Sequence, residues 1–195
     1  LVATAHDVLE DWAILQWLEE QHLTDEGSFK ALSAAIGAHP AVRRSYRKWV
    51  AELIERDAAA ADRLFQAAIS EAEISVQFRD DTLVSLLKAP LAPDFLAQHE
   101  AQLVANDRAI LKRVIHLLRV ACVKMPEWFA GMTEHGSIFN VPDGSAWPTV
   151  LMLVHRNLAS FTPQDRVLLL GLIEDAVRSV SWRAPEIKGA EFVAG

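Results

Sequence analysis

The feature that most constrains this chain is a helical apolar period that returns segment after segment, each time behind a proline or a small polar residue. Its clearest instance begins at Pro40. Val42, Tyr46, Trp49, Val50, Leu53 and Ile54 recur at i, i+4, i+7 and i+8, which places them on one buryable face of a helix. Proline at the first helical position suits this start, because the N–H it lacks would have no partner there. The same logic predicts an opening helix carrying Val8, Leu9, Trp12, Ala13 and Leu15, and a short one from the cap Ser28 through Phe29, Leu32 and Ile36 to Gly37.

Further along, Asp57 introduces Leu64, Phe65, Ala68 and Ile69, and Asp80 with Asp81 introduces Leu83, Val84, Leu86 and Leu87, their carboxylates favoured at a helix N-terminus. The alternation Ile74, Val76, Phe78 could be extended, but a lone strand has no partner here, so it reads as a connection. Pro90 and Pro93 separate the next helix, with Phe95, Leu96 and Leu103. Asn106 and Asp107 cap an apolar helix from Ile110 to Ala121 that ends by Pro126. Pro148 helps start a helix with Val150, Leu151, Leu153 and Val154, and Thr162-Pro163 caps a last long one from Leu168 to Val180. This predicts an all-α protein of about nine helices with no strand pair. Helix pairs return at about 40 residues, the spacing of HEAT and armadillo-like α-solenoids; a compact helical bundle is the alternative.

With 51% hydrophobic and 23% charged residues over 195 positions, the chain is expected to bury a core without disulfides. Its single cysteine, Cys122, lies in an apolar run and reads as a buried reduced thiol, which fits a cytoplasmic location. No apolar stretch approaches the roughly 18 residues of a membrane span, and no signal segment opens the chain. The chain starts on Leu1 and ends in what looks like the opening of another helix, Glu191-Phe192-Val193, so we read it as a piece of a longer polypeptide, truncated at the C-terminus.

No reaction is legible. The seven histidines are scattered, with no His-x-x-x-His or Cys-x-x-Cys spacing for a metal. There is no Gly-x-Ser-x-Gly elbow and no phosphate-cradling glycine loop. We therefore expect no catalytic set, no metal and no cofactor within the chain. A net charge of −7 argues against wholesale nucleic-acid binding. Two basic clusters are nonetheless candidate partner-binding residues. Arg43, Arg44, Arg47 and Lys48 crowd the first half of their helix, where the dipole disfavours them, and Arg108, Lys112, Arg113 and Arg119, with His116, load one side of another. They form either a basic stripe or a solvated face answered by carboxylates such as Glu71, Glu73, Asp80 and Asp81. A segment of about 20 residues after Pro126 is longer than most loops of compact helical proteins. It holds Trp128 and Phe139 and either covers an apolar end or recognises a partner. The six tryptophans read mostly as core.

The string Ala5-His6-Asp7-Val8-Leu9-Glu10-Asp11-Trp12-Ala13 resembles the segment that closes the winged helix of STAND-type signalling NTPases, the class of NACHT and AP-ATPase modules. The resemblance implies that residues 1–24 are a junction helix ending a winged-helix-like module and residues 25–195 a helical repeat region that senses a trigger. It also implies that His6 contacts bound nucleotide. ATP or ADP would then belong to a missing upstream nucleotide-binding module of the same chain, and a protein partner would be engaged by the repeats. A free-standing HEAT-like adaptor is the other expectation, with nucleic acid a lesser one and a membrane none.

Overall fold

Helix-forming stripes with capped ends leave little of the chain for anything else, and the computed structural model is all-α. It describes residues 5–24, 29–37, 39–70, 74–125 and 140–181, with side chains except at 5–9, 22–24 and 178–181. Nine α-helices lie among them: α1 Ala5–Thr24, α2 Phe29–Ile36, α3 Pro40–Arg56, α4 Ala58–Ser70, α5 Val76–Lys88, α6 Ala92–Gln98, α7 Glu100–Ala121, α8 Ala146–Arg156 and α9 Arg166–Ser181. The count is the one the periodicity gave. None of the described helices is long and apolar enough to cross a membrane. The chain divides into two compact units, Leu1–Phe95 and Leu96–Gly195.

In the first unit α3 is the central element, packed on α1, α2, α4 and α5. Its stripe is the core: Tyr46, Trp49, Val50, Leu53 and Ile54 are all buried, joined by Phe65 of α4 and Phe78, Leu83 and Leu87 of α5. The Tyr46 ring stacks on Phe78, with centroids 4.9 Å apart. Asp57 ends α3 and accepts the Ala60 N–H at 3.0 Å, so one residue closes one helix and caps the next. Gly37 ends α2 with φ +58°, a left-handed backbone that an L side chain resists.

The α5 start differs from the sequence reading. Ser75, not Asp80, is the N-cap, its hydroxyl accepting the Phe78 N–H at 3.2 Å. Asp80 and Asp81 therefore lie in the second turn, and Asp81 is free to turn inward. Trp12 also differs. It stands 64% exposed, while among the described side chains of α1 Leu18 is the fully buried one.

The second unit holds α7, α8 and α9. Helix α7 is interrupted at the expected cap: Asn106, Asp107 and Arg108 take φ of 48°, 56° and 59°. Left-handed backbone costs about 1–2 kcal/mol per L residue. Contacts offset part of that, because Arg108 pairs with Asp107 and lies over the Phe161 ring, 5.6 Å from its centroid. The helix ends at Ala121 rather than near Pro126. A two-residue strand follows, β1 Val123–Lys124, antiparallel to β2 Val141–Pro142 with Val123 opposite Pro142. The sequence reading expected no strand pair; two residues carry no period to read. The Cys122 carbonyl fixes this corner by accepting the Trp147 indole N–H at 2.7 Å and the Asp143 N–H at 2.9 Å. Cys122 itself is buried and reduced, as expected. The connection from α8 to α9 runs through 3-10 turns, the second at Pro163–Asp165, where the Asp165 carboxylate accepts the Thr162 N–H at 2.9 Å.

The buried Tyr46 hydroxyl lies 2.7 Å from the Thr82 hydroxyl, which is 2.8 Å from the Phe78 carbonyl. Thr82 has one proton and gives it to that carbonyl, so Tyr46 is the donor to Thr82. Burial pushes the Tyr46 phenol pKa well above its usual range. Tyr46→Phe removes one neutral bond and is expected to cost about 1 kcal/mol. Thr82→Val strands the buried phenol and is expected to cost about 2 kcal/mol. Urea denaturation of the two variants checks the order.

Candidate functional site

Three of the four candidate cations of α3, Arg43, Arg44 and Arg47, pair with carboxylates of neighbouring helices. Arg43 Nε donates to Asp81 Oδ2 at 2.6 Å and Arg47 Nη1 to Asp81 Oδ1 at 3.1 Å. One carboxylate of α5 thus takes two arginines spaced i, i+4, one turn apart on α3. Asp81 is buried, so this pairing is what allows its charge inside. The hydrogen bond to Asp81 raises the Arg43 pKa further. Arg44 Nη2 donates to Asp11 Oδ1 of α1 at 2.7 Å, and Ser45 donates to the same oxygen at 3.0 Å. The Arg44 hydrogen bond, against the opposing effect of burial, holds Asp11 below its ordinary range, with Ser45 adding to it. Lys48 is exposed. At the other end of α3, Glu19 accepts from the Trp49 indole at 2.8 Å and from Arg56 at 2.8 Å.

The cations of α7 are placed similarly. Lys112 bridges Asp165 at 2.9 Å and Asp107 at 3.4 Å. Arg119 Nε donates to Asp175 of α9 at 2.6 Å. Its guanidinium lies against Gly171, where a Cβ would overlap it. Arg108 faces Asp107 and Phe161, Arg113 is half-buried and His116 exposed. The hydrogen bond from Lys112, with the Thr162 N–H next, lowers the Asp165 pKa to about 2, and the Asp165 and Asp107 bonds raise that of Lys112.

Among the described residues, then, Arg43, Arg44, Arg47, Arg108, Lys112 and Arg119 each have a carboxylate partner within their own unit. Asp81 was among the carboxylates expected to answer them; Glu71 and Glu73 lie outside the described residues. So do Trp128 and Phe139, and the side chain of His6, whose backbone sits in the first turn of α1. Asp11, Glu19, Asp165 and Asp175 were not anticipated. The only signal for such pairing was the i, i+4 spacing of Arg43 and Arg47, which suits one shared acceptor.

One further surface was not singled out from sequence. Glu10, Ala13, Ile14 and Trp17 follow i, i+3, i+4, i+7 along α1 and, with Ala35 of α2 and Val42 of α3, line an open cleft of about 440 Å³. Its walls are apolar apart from the Glu10 carboxylate. Among the described residues no group of three or more His, Cys, Asp or Glu side chains is placed to hold a metal. Comparison with models of known families and with curated protein sequences finds no match for this chain.

Two predictions rest on these pairs. Asp81→Ala leaves Arg43 and Arg47 facing a buried void and is expected to cost about 2 kcal/mol, below the full penalty of a buried pair because both arginines reach solvent. Arg47→Ala is expected to cost under about 1 kcal/mol. Chemical denaturation at neutral pH compares them. For Asp165, a folded pKa of about 2 lies below the ordinary 3.8. Its ionised form therefore adds stability above pH 3.8, and that contribution is lost as pH falls towards 2. The stability gap between wild type and Asp165→Asn should be widest near neutrality and close across that window, as read from denaturation midpoints at several pH values.

Proposed function

We propose that this chain is a non-catalytic helical repeat segment of a larger STAND-like signalling ATPase, working as a regulatory, ligand-sensing scaffold for protein contacts in the cytoplasm. The observation that carries the reading is on α1. The helix whose first residues bear the resemblance also presents an exposed indole, Trp12, and an open apolar cleft beginning at Glu10. An apolar, aromatic face left open along a helix is the chemistry of a docking surface. In this reading α1 is the junction helix and its occupant is the nucleotide-binding module upstream. ATP or ADP belongs to that module, with His6 at the helix start as the residue that reaches its phosphates. The repeats respond to a trigger and bias the module between two states, a coupling of equilibria without chemistry of their own.

The internal pairing of Arg43, Arg44, Arg47, Lys112 and Arg119 favours a protein partner over nucleic acid, since a cation already facing a carboxylate releases few counterions on binding phosphate.

The reading is tested first on the gene. A P-loop and its acidic metal-binding partner encoded upstream of Leu1 are expected, and their absence overturns it. In the longer polypeptide, His6→Ala is expected to speed release of a fluorescent ADP analogue about tenfold, the worth of one hydrogen bond of about 1.4 kcal/mol. Release rates unchanged by that substitution remove His6 from the site.

A further inference from the structure

The cleft along α1 carries a single charge, and that charge is unanswered. Of the described carboxylates of α1, Asp11 accepts from Arg44, Glu19 from Arg56 and Trp49, and Glu20 from Gln16. Glu10 is exposed at the cleft and has no hydrogen bond or ion pair with any described residue. Arg43, Arg44 and Arg47 of α3 are held by Asp81 and Asp11 instead. The rest of the lining is apolar: Ala13, Ile14 and Trp17 of α1, Ala35 of α2 and Val42 of α3. Ala13 and Ala35 are exposed there, and neither has a side chain beyond Cβ.

We propose that this cleft seats one amphipathic helix of the partner, its aliphatic side chains against the apolar lining and a lysine or arginine on its flank reaching Glu10. The inference rests on the reading of α1 as the helix that docks the upstream module, and it names what that module presents there.

Three properties of the cleft select this occupant. From Glu10 to Trp17 the α1 side runs about 10 Å, or two helical turns, at the i, i+3, i+4, i+7 spacing by which helices read one another. The two alanines let a second helix axis come in towards the near end of the roughly 8–10 Å range of packed helices. An added strand would need unpaired backbone N–H and C=O groups, and the middle of a helix has none to give. A small molecule would keep one side in water, because the cleft is open, whereas sites for such ligands enclose most of their surface. The sign of the partner's charge follows from Glu10 and from the chain's net charge of −7, which repels an acidic helix and steers a basic one. Apolar burial supplies the attraction, and Glu10 sets the register.

Fluorescence anisotropy with the 195-residue chain and two labelled helical peptides tests the proposal. Both peptides carry leucine at i, i+4 and i+7; one is flanked by lysines and its twin by glutamates. Wild type is expected to bind the lysine peptide about tenfold more tightly than its twin. Glu10→Lys should abolish or invert that preference. Glu20→Lys, the same change of charge on α1 outside the cleft, should preserve it. Ala35→Gln, at an exposed position, should weaken both peptides with the far-UV spectrum and melting curve unchanged. The proposal is overturned if wild type binds neither peptide, if Glu20→Lys alters the preference as much as Glu10→Lys, or if Ala35→Gln changes nothing. An upstream gene without a P-loop would remove the nucleotide module and leave these binding results standing. Failure of the peptides to bind would remove the helix partner and leave the gene test standing.

Discussion

The Asp81 carboxylate, held by Arg43 and Arg47, is the interaction on which the first unit depends. Helix α3 buries one stripe against α1, α2, α4 and α5, which leaves its basic flank close to those same neighbours. A charge there must be paired or solvated. Asp81 sits where only pairing is open to it, and two arginines one turn apart meet its two oxygens. Asp11 and Glu19 do the same for Arg44 and Arg56 from α1. The apolar stripe brings the helices together; the ion pairs fix their rotation and register, because a one-residue slip would leave buried charge without a partner. The same pairs explain why cations crowd the N-terminal half of α3 against the helix dipole. A dipole term of a few tenths of a kcal/mol is smaller than the cost of leaving Asp81 unpaired.

The second unit uses the same chemistry with a different result. Lys112 and Arg119 of α7 reach Asp165 and Asp175, in the turn before α9 and in α9 itself. Both contacts advance in the same direction along the chain, so the two helices run alongside in parallel. Gly171 lets the Arg119 guanidinium lie flat between them. Leu169 and Leu172 of α9 are buried and Asp175 faces Arg119, while Val167, Leu170, Ile173 and Val177 are exposed.

Much of the helical layout was legible in the sequence because helix starts and stops are local events. Pro40, Asp57, Gly37 and Thr162-Pro163 act through their own backbone geometry and hydrogen bonds, and the structure ends or begins helices at each. One misreading was local and one was not. Ser75 outcompeted Asp80 as a cap because its hydroxyl reached the Phe78 N–H. The β1–β2 pair is held by the Cys122 carbonyl and Trp147, 25 residues apart in sequence. The basic clusters could be located by eye, but whether they faced a partner or one another could not, since Arg44 and Asp11 are 33 residues apart.

By itself the sequence determined the class of the protein: helical, with caps and stripes that allow little else, and without a motif for a reaction. It also supplied the resemblance in α1 on which the functional proposal rests. Only the tertiary structure decided which charges are answered within each unit and which surfaces stay open, turning Trp12 and Val167, Leu170, Ile173 and Val177 of α9 to solvent while pairing Arg43, Arg47 and Lys112 with carboxylates. The physical reason is one of range. Periodicity and capping depend on residues three or four apart, whereas pairing and exposure depend on which helices come to lie side by side.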